Sequence, residues 1–161
     1  MKTLLVCGVL STLAACSSMK VAETVGEYPL DLYDYNAPNG EVERGQAVSV
    51  SGFAYRSGDI IDSRTGLMLA GEQLAQDSVA IRIQPQDIAS FRSDLEHMLN
   101  AAEGVYVRRP MAGYSLKVEA VKGQKFLTIR NMDEDYQLRM EDAQRLHQLV
   151  ASMSEQNSAS R

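Results

Sequence analysis

Residues 114–140 read YSLKVEAVKGQKFLTIRNMDEDYQLRM, and the spacing of their apolar positions decides the fold. Tyr114, Leu116, Val118 and Ala120 alternate with Ser115, Lys117, Glu119 and Val121, the two-residue repeat of a strand with one buried face. Lys122-Gly123-Gln124 supplies a tight turn and Phe126 to Arg130 pairs back; Asp133-Glu134-Asp135 then turns the chain into Tyr136, Leu138 and Met140. After that the period becomes helical: Ala143, Leu146, Leu149, Val150 and Met153 fall on one face of a helix from about Glu141 to Met153.

Upstream the same plan occurs once more. Val48 to Tyr55 is strand-like, with Gly52 shifting the parity as a bulge does. Asp62 to Gly66 reads as a turn and Leu67 to Leu69 as a short strand, after which Val79, Ile81 and Ile83 alternate with Ala80, Arg82 and Gln84. Pro85 suits a first helical turn, and Ile88, Phe91, Leu95, Met98, Leu99 and Ala102 recur at helical spacing until Gly104; Val105 to Arg109 is a further strand. Ile81-Arg82-Ile83-Gln84 before one helix parallels Leu138-Arg139-Met140-Glu141 before the other, which predicts two strand-meander-plus-helix units. Either unit alone buries too little apolar surface to be stable, so the expectation is one α+β domain over residues 46–154, an antiparallel sheet packed by two helices. Residues 155–161 are expected as a disordered polar tail.

The chain has 161 residues, 45% hydrophobic and 23% charged, a composition of one globular domain with appendages rather than a repeat array or a disordered polymer. The formal charge of −5 gives no reason to expect nucleic acid as a partner. Both cysteines, Cys7 and Cys16, lie at the N-terminus, so the body of the protein has no thiol for a disulfide, a zinc site or nucleophilic catalysis.

That N-terminus carries the most specific motif. Met1-Lys2 is followed by an apolar run through Leu4, Leu5, Val6, Val9, Leu10 and Leu13, shorter than the roughly 20 residues a spanning helix needs. It ends in Leu13-Ala14-Ala15-Cys16, which resembles the lipobox of bacterial lipoproteins. The resemblance covers residues 1–18 and implies a signal peptide over 1–15, cleavage before Cys16, and diacylation of the Cys16 thiol and acylation of its new amine. Ser17 and Ser18 stand where an Asp resembles an inner-membrane retention signal, so the resemblance implies the outer membrane, facing the periplasm, with a Gram-positive plasma membrane or surface display as the alternatives. Each buried methylene contributes about 0.8 kcal/mol, so three acyl chains hold a protein to a bilayer essentially irreversibly.

Residues 16–45 are expected as an acidic tether, broken by Pro29, Asn36, Pro38, Asn39 and Gly40. Within it, Tyr28, Leu30, Leu32, Tyr33 and Tyr35 suit either an edge strand laid on the domain or a linear segment that docks on a partner.

Few residues offer chemistry. His97 and His147 fall on predicted helices, and no Gly-x-Ser-x-Gly segment presents a serine to either. Asn131, Asp133 and Asp135 have the spacing of a calcium loop, but Tyr136 replaces the turn glycine and Asp142 the bidentate glutamate, so an acidic hairpin turn is the reading and no metal or cofactor is expected. Charge is the remaining signal. Arg108, Arg109, Lys117, Lys122, Lys125 and Arg130 are opposed between Gly104 and Arg130 only by Glu119. Strand parity sends Lys117, Thr128, Arg130, Gln137 and Arg139 to the face away from the helices, with Phe126 beside them and Arg82 joining them. This face is either a solvated surface neutralised by the acidic tether or a binding face, with Arg82, Lys117, Arg130 and Arg139 as contacts for an acidic protein, peptidoglycan carboxylates or lipid phosphates. The outline of strands then helix with a basic face is similar to whirly-type single-stranded nucleic-acid binders; envelope anchorage argues against that ligand. The expected function is a non-enzymatic binding or assembly accessory factor of the envelope, the alternatives being a hydrolase using scattered carboxylates or a histidine, and a purely structural tethered module.

Overall fold

The computed structural model describes residues 20–36, 41–71, 80–132 and 134–160. Residues 1–15, expected as a signal peptide, together with Cys16, Val79 and Asp133 lie outside the described residues. The class is α+β, but the described strands form two antiparallel sheets where the sequence suggested one. β1 (Val21–Asn36), β2 (Glu43–Ser57), β4 (Gly66–Gly71) and β5 (Ile81–Ile83) are ordered as a meander, with the two-residue β3 (Ile60–Ile61) also on β2. Pro85–Asp87 makes a 3-10 turn into α1 (Ile88–Leu99). The second sheet runs β6 (Tyr106–Arg109), β7 (Tyr114–Val121), β8 (Gln124–Arg130) and β9 (Asp135–Arg139), and leads directly into α2 (Met140–Ala159).

One apolar cluster joins all four parts. Leu67, Leu69, Ile81 and Ile83 come from the first sheet, Leu116, Val118, Leu127, Ile129 and Leu138 from the second, Phe91, Leu95 and Met98 from α1, and Leu146, Val150 and Met153 from α2. Each such side chain removed from water stabilises the fold by roughly 1.5–3 kcal/mol. Space there is tight: a Cβ on Gly66 would lie 2.6 Å from Cζ of Phe53 and 2.7 Å from the Ile83 carbonyl oxygen. The bulge expected at Gly52 lies on β1 instead. Thr24 pairs with Phe53 and Gly26 with Gly52, leaving Val25 over, while Gly52 makes room for the Thr65 methyl, 2.9 Å from where its Cβ would be.

Both ends of the expected domain need correction. The described part of the acidic tether is β1, paired with β2 along its length, so the edge-strand alternative describes Tyr28 to Tyr35. Pro29, Leu30 and Asp31 stand together opposite Ser49, and past this break β1 crosses towards the second sheet. There the Asp34 carboxylate accepts the Gln137 backbone N–H at 2.7 Å, the Asp142 carboxylate accepts that of Tyr33 at 3.4 Å, and Leu32 and Tyr35 are buried. The strand is retained because Asp34 finds a backbone donor on β9, the Tyr33 N–H finds a carboxylate on α2, and its apolar residues find the core. At the other end, α2 continues to Ala159 where a disordered tail was expected. Asn157 explains why: its amide accepts the Thr65 N–H and donates to the Thr65 carbonyl, both at 2.9 Å, so a polar residue fastens the last turns. Among the described residues, no helix is long and apolar enough to cross a membrane.

Candidate functional site

The outer face of the second sheet has the parity expected of it, arranged in three rungs. Arg108, Ser115, Arg130 and Asp135 form one; Tyr106, Lys117, Thr128 and Gln137 the next; Glu119, Phe126 and Arg139 the third. Its chemistry differs from the expectation. Glu119 sits at the centre, accepting from Lys117 Nζ at 2.7 Å, the Thr128 hydroxyl at 2.5 Å and Gln137 Nε2 at 3.4 Å. The Lys117 bond first, then that of Thr128, holds the Glu119 carboxyl below the usual carboxylate range. Arg130 is paired with Asp135. These two cations are thus neutralised from within the sheet. Such exposed pairs contribute little stability.

Part of this face is not solvated at all. Phe126 and Thr128 are buried, because the Tyr35 ring at the end of β1 packs 5.8 Å from Phe126. Arg139 lies over the same Tyr35 ring at 4.5 Å, its Nε enclosed without a hydrogen-bond partner, so its guanidinium is committed to the aromatic face. Arg82 is exposed, but it belongs to β5 of the first sheet, opposite Met68. Parity within one sheet could not place it beside Lys117, since the two meanders form separate sheets. Of the four expected contacts, Lys117 and Arg130 are therefore adjacent, Arg139 is covered and Arg82 lies elsewhere.

What remains open is a cleft of about 610 Å³ at the Arg130 end, lined by Tyr106, Arg108, Pro110, Ser115, Arg130 and Met132 among others. Tyr106 is 55% exposed and Met132 96%. Arg108 is exposed and, among the described residues, makes no ion pair. Tyr106 and Arg108 were legible as the outward positions of their strand, alternating with Val107 and Arg109.

Behind the cleft, on the inner face, is a tie that sequence reasoning missed. Asp94 of α1 accepts from Arg109 Nε at 2.7 Å, Arg109 Nη2 at 2.6 Å and the Tyr114 hydroxyl at 2.9 Å. Burial pushes the Asp94 carboxyl up, but the Arg109 fork and the Tyr114 bond outweigh it and hold it below its ordinary range. Burial and the neighbouring carboxylate raise the Tyr114 phenol well above its own. The available signal was an acid within the Phe91–Leu95–Met98 stripe and an arginine sharing the parity of Val107.

The histidines are not drawn into a catalytic arrangement: His97 is exposed on α1, His147 is half-buried on α2 with Nε2 unpartnered, and neither makes an ion pair with a carboxylate among the described residues. The Asn131 side chain accepts the Glu134 N–H at 2.6 Å, closing the acidic hairpin turn. Among the described residues no group of three or more His, Cys, Asp or Glu is placed to hold a metal.

No protein-family profile matches the chain, and no curated protein matches it. A solved structure of SsgB, from a study relating its mutations to longitudinal cell division during sporulation of Streptomyces coelicolor, aligns over 83% of this chain and 88% of its own, at 8% identity and a TM-score of 0.38. That likeness carries no functional argument.

Proposed function

We propose that this protein is a lipid-anchored, non-enzymatic accessory factor of the bacterial outer membrane, facing the periplasm, that binds an acidic envelope component in the cleft of its second sheet. The anchor rests on Leu13-Ala14-Ala15-Cys16 and on the absence of any other thiol beyond Cys7, which leaves with the signal peptide. The binding role rests on one observation: Arg108, with no ion pair among the described residues, stands at the rim of a cleft whose other rim is Arg130, with the exposed Tyr106 between Arg108 and Lys117. The Arg108 guanidinium beside an aromatic ring suits a carboxylate or phosphate borne on a partly apolar partner, gripping two oxygens at once, while Arg130, whose Nε and Nη2 are taken by Asp135, has Nη1 to add at the other rim. The cleft is partly open to solvent, which lets part of a larger partner dock in it. We also read the two meander-plus-helix units as copies of one unit, packed face to face to complete a single core.

Charge reversal at Arg108 and Arg130 together tests the binding role. The double variant should lose co-purification with its partner from cross-linked envelopes, identified by mass spectrometry, with an unchanged circular dichroism spectrum; undiminished co-purification refutes the cleft. Cys16→Ser should abolish palmitate incorporation and move the protein to the soluble fraction, and a variant that fractionates like the parent refutes the anchor.

A further inference from the structure

The first sheet ends, where β1 begins, in an apolar tip. Val21 pairs with Arg56 and Arg56 with Ile61, so Val21 and Ile61 flank one arginine on a single rung and face, and Ile60, paired with Ser57 on the last rung, projects from the opposite face of the same sheet end. Val21 is 56% exposed, Ile60 75% and Ile61 44%. Scattered exposed aliphatics are ordinary on a soluble surface; here both faces of one sheet end carry them, so the end itself, rather than either face, is what they suit to an apolar contact. Charge around them cancels. Lys20, Arg56 and Arg64 stand against Glu23, Asp59 and Asp62, with Arg56 bonded to Glu23 at 2.5 Å and Arg64 to Asp62 at 2.9 Å. Lys20 reaches this end too, since its charge adds to the Arg64 bonds that depress the Asp62 carboxyl.

The length of chain before the tip says what covers it. Residues 17–20 are all that separate Cys16 from Val21. At 3.3–3.6 Å per residue, Val21 lies within about 18 Å of Cys16 however that segment runs. An acylated cysteine sits at the boundary of headgroups and acyl chains, so the tip is kept within that distance of the bilayer surface. Resting on the anchor proposed above, we infer that Val21, Ile60 and Ile61 settle into the headgroup–acyl boundary beside the lipid, and hold the domain end-on.

The interior of the fold fixes what the opposite end presents. α2 runs from Asp142, bonded to Tyr33, to Asn157, bonded to Thr65 just past β3, a length of about 22 Å. Asp34, next to Tyr33, feels the charges of Asp135 and Glu134, so the β8–β9 turn with Arg130 and Met132 lies at the end away from the tip. The tip meets lipid while the arginine cleft is offered to the periplasm. Among the described residues at this end, Arg56 and Arg64 are paired and Lys20 and Asp59 offset each other in charge, so the aliphatic groups approach a bilayer without a net charge beside them.

The test uses the mature, lipidated full chain in vesicles of phosphatidylethanolamine and phosphatidylglycerol. Ile60→Cys supplies its sole free thiol, and Met132→Cys, at the far turn, is the control. Each is labelled with the same environment-sensitive fluorophore and exposed to lipids carrying a quencher near the headgroups. The fluorophore at position 60 should show a blue shift and loss of emission, and that at position 132 neither. Water-like emission at both positions on vesicles that carry the protein through flotation overturns the tip and leaves the anchor standing. Equal quenching at both overturns the end-on arrangement. Protein that fails to float overturns the anchor, and the tip with it.

Discussion

Asp94→Asn interrogates the tie between α1 and the second sheet. The carboxylate is 8% exposed and receives two bonds from Arg109, whose own side chain is half exposed, and one from the Tyr114 hydroxyl. Asparagine keeps the shape and one acceptor oxygen, which retains Tyr114. Its amide nitrogen, however, faces a guanidinium that also only donates, so the fork is reduced to one uncharged bond at best. Hydrogen bonds to charged groups contribute about 1.5–3 kcal/mol, and removal of one partner of a fully buried pair costs about 3–5 kcal/mol. Arg109 can turn to water, which places the loss near the lower range, at about 2 kcal/mol. For a domain of this size that lowers Tm by roughly 6–10 °C. The pH dependence has a definite sign. The folded pKa of Asp94 lies below the unfolded value of about 3.9, so its stabilisation is complete above that value and is lost as pH falls through the folded pKa. Thermal melts of parent and variant followed by circular dichroism should therefore differ at pH 7 and converge in acid. A Tm unchanged at pH 7, or a deficit as large in acid as at neutrality, refutes an ionic tie.

Asp34→Asn should act in the opposite direction. Burial raises the Asp34 carboxyl, opposed by the Gln137 bond and reinforced by Asp135, so its ionisation penalises the folded state above the folded pKa and not below the unfolded one. Asparagine still accepts from Gln137, so the variant should melt higher than the parent at pH 7 and equally in acid; a lower Tm at pH 7 contradicts this. Gly66→Ala drives a methyl into the Phe53 ring and the Ile83 carbonyl, and because the second is backbone the loss should reach the upper part of the overpacking range, about 3 kcal/mol in denaturant titration. Phe53→Leu in the same chain should restore only part of it; full restoration would show that the ring alone is the obstacle.

The second sheet was legible because its strands alternate without interruption and its turns are short. Leu116, Val118, Leu127, Ile129 and Leu138 occupy the inner face that their spacing assigns. β1 was less legible because alternation fails within it: Val25 is left over in its pairing with β2 and Pro29 to Asp31 stand out from the ladder, so the residues that do alternate never accumulate into a pattern. Acidity added to the misreading, since Asp34 is retained by a backbone donor 103 residues away that no local pattern contains. The end of α2 misled for a related reason. Ser154 and Asn157 look like solvent-facing residues, yet both are buried, and Asn157 is held by the backbone of a turn on the other sheet.

Arg108 and Arg109 show why the candidate site was harder to read than the fold. Both belong to the same run of positive charge, and a count of cations treats them alike. They point to opposite faces of β6: Arg109 shares a rung with Tyr114 and is spent on Asp94 of α1, while Arg108 shares one with Ser115 and has no ion-pair partner among the described residues. Parity separates this pair. It does not separate Lys117 from Arg139, which share a face and differ only in what covers them, Glu119 alongside one and the Tyr35 ring above the other. A strand's period fixes direction, but availability depends on chain arriving from elsewhere in the sequence, and here that chain is β1. The segment whose sequence looked least like part of the domain therefore decides which of its arginines can meet a partner.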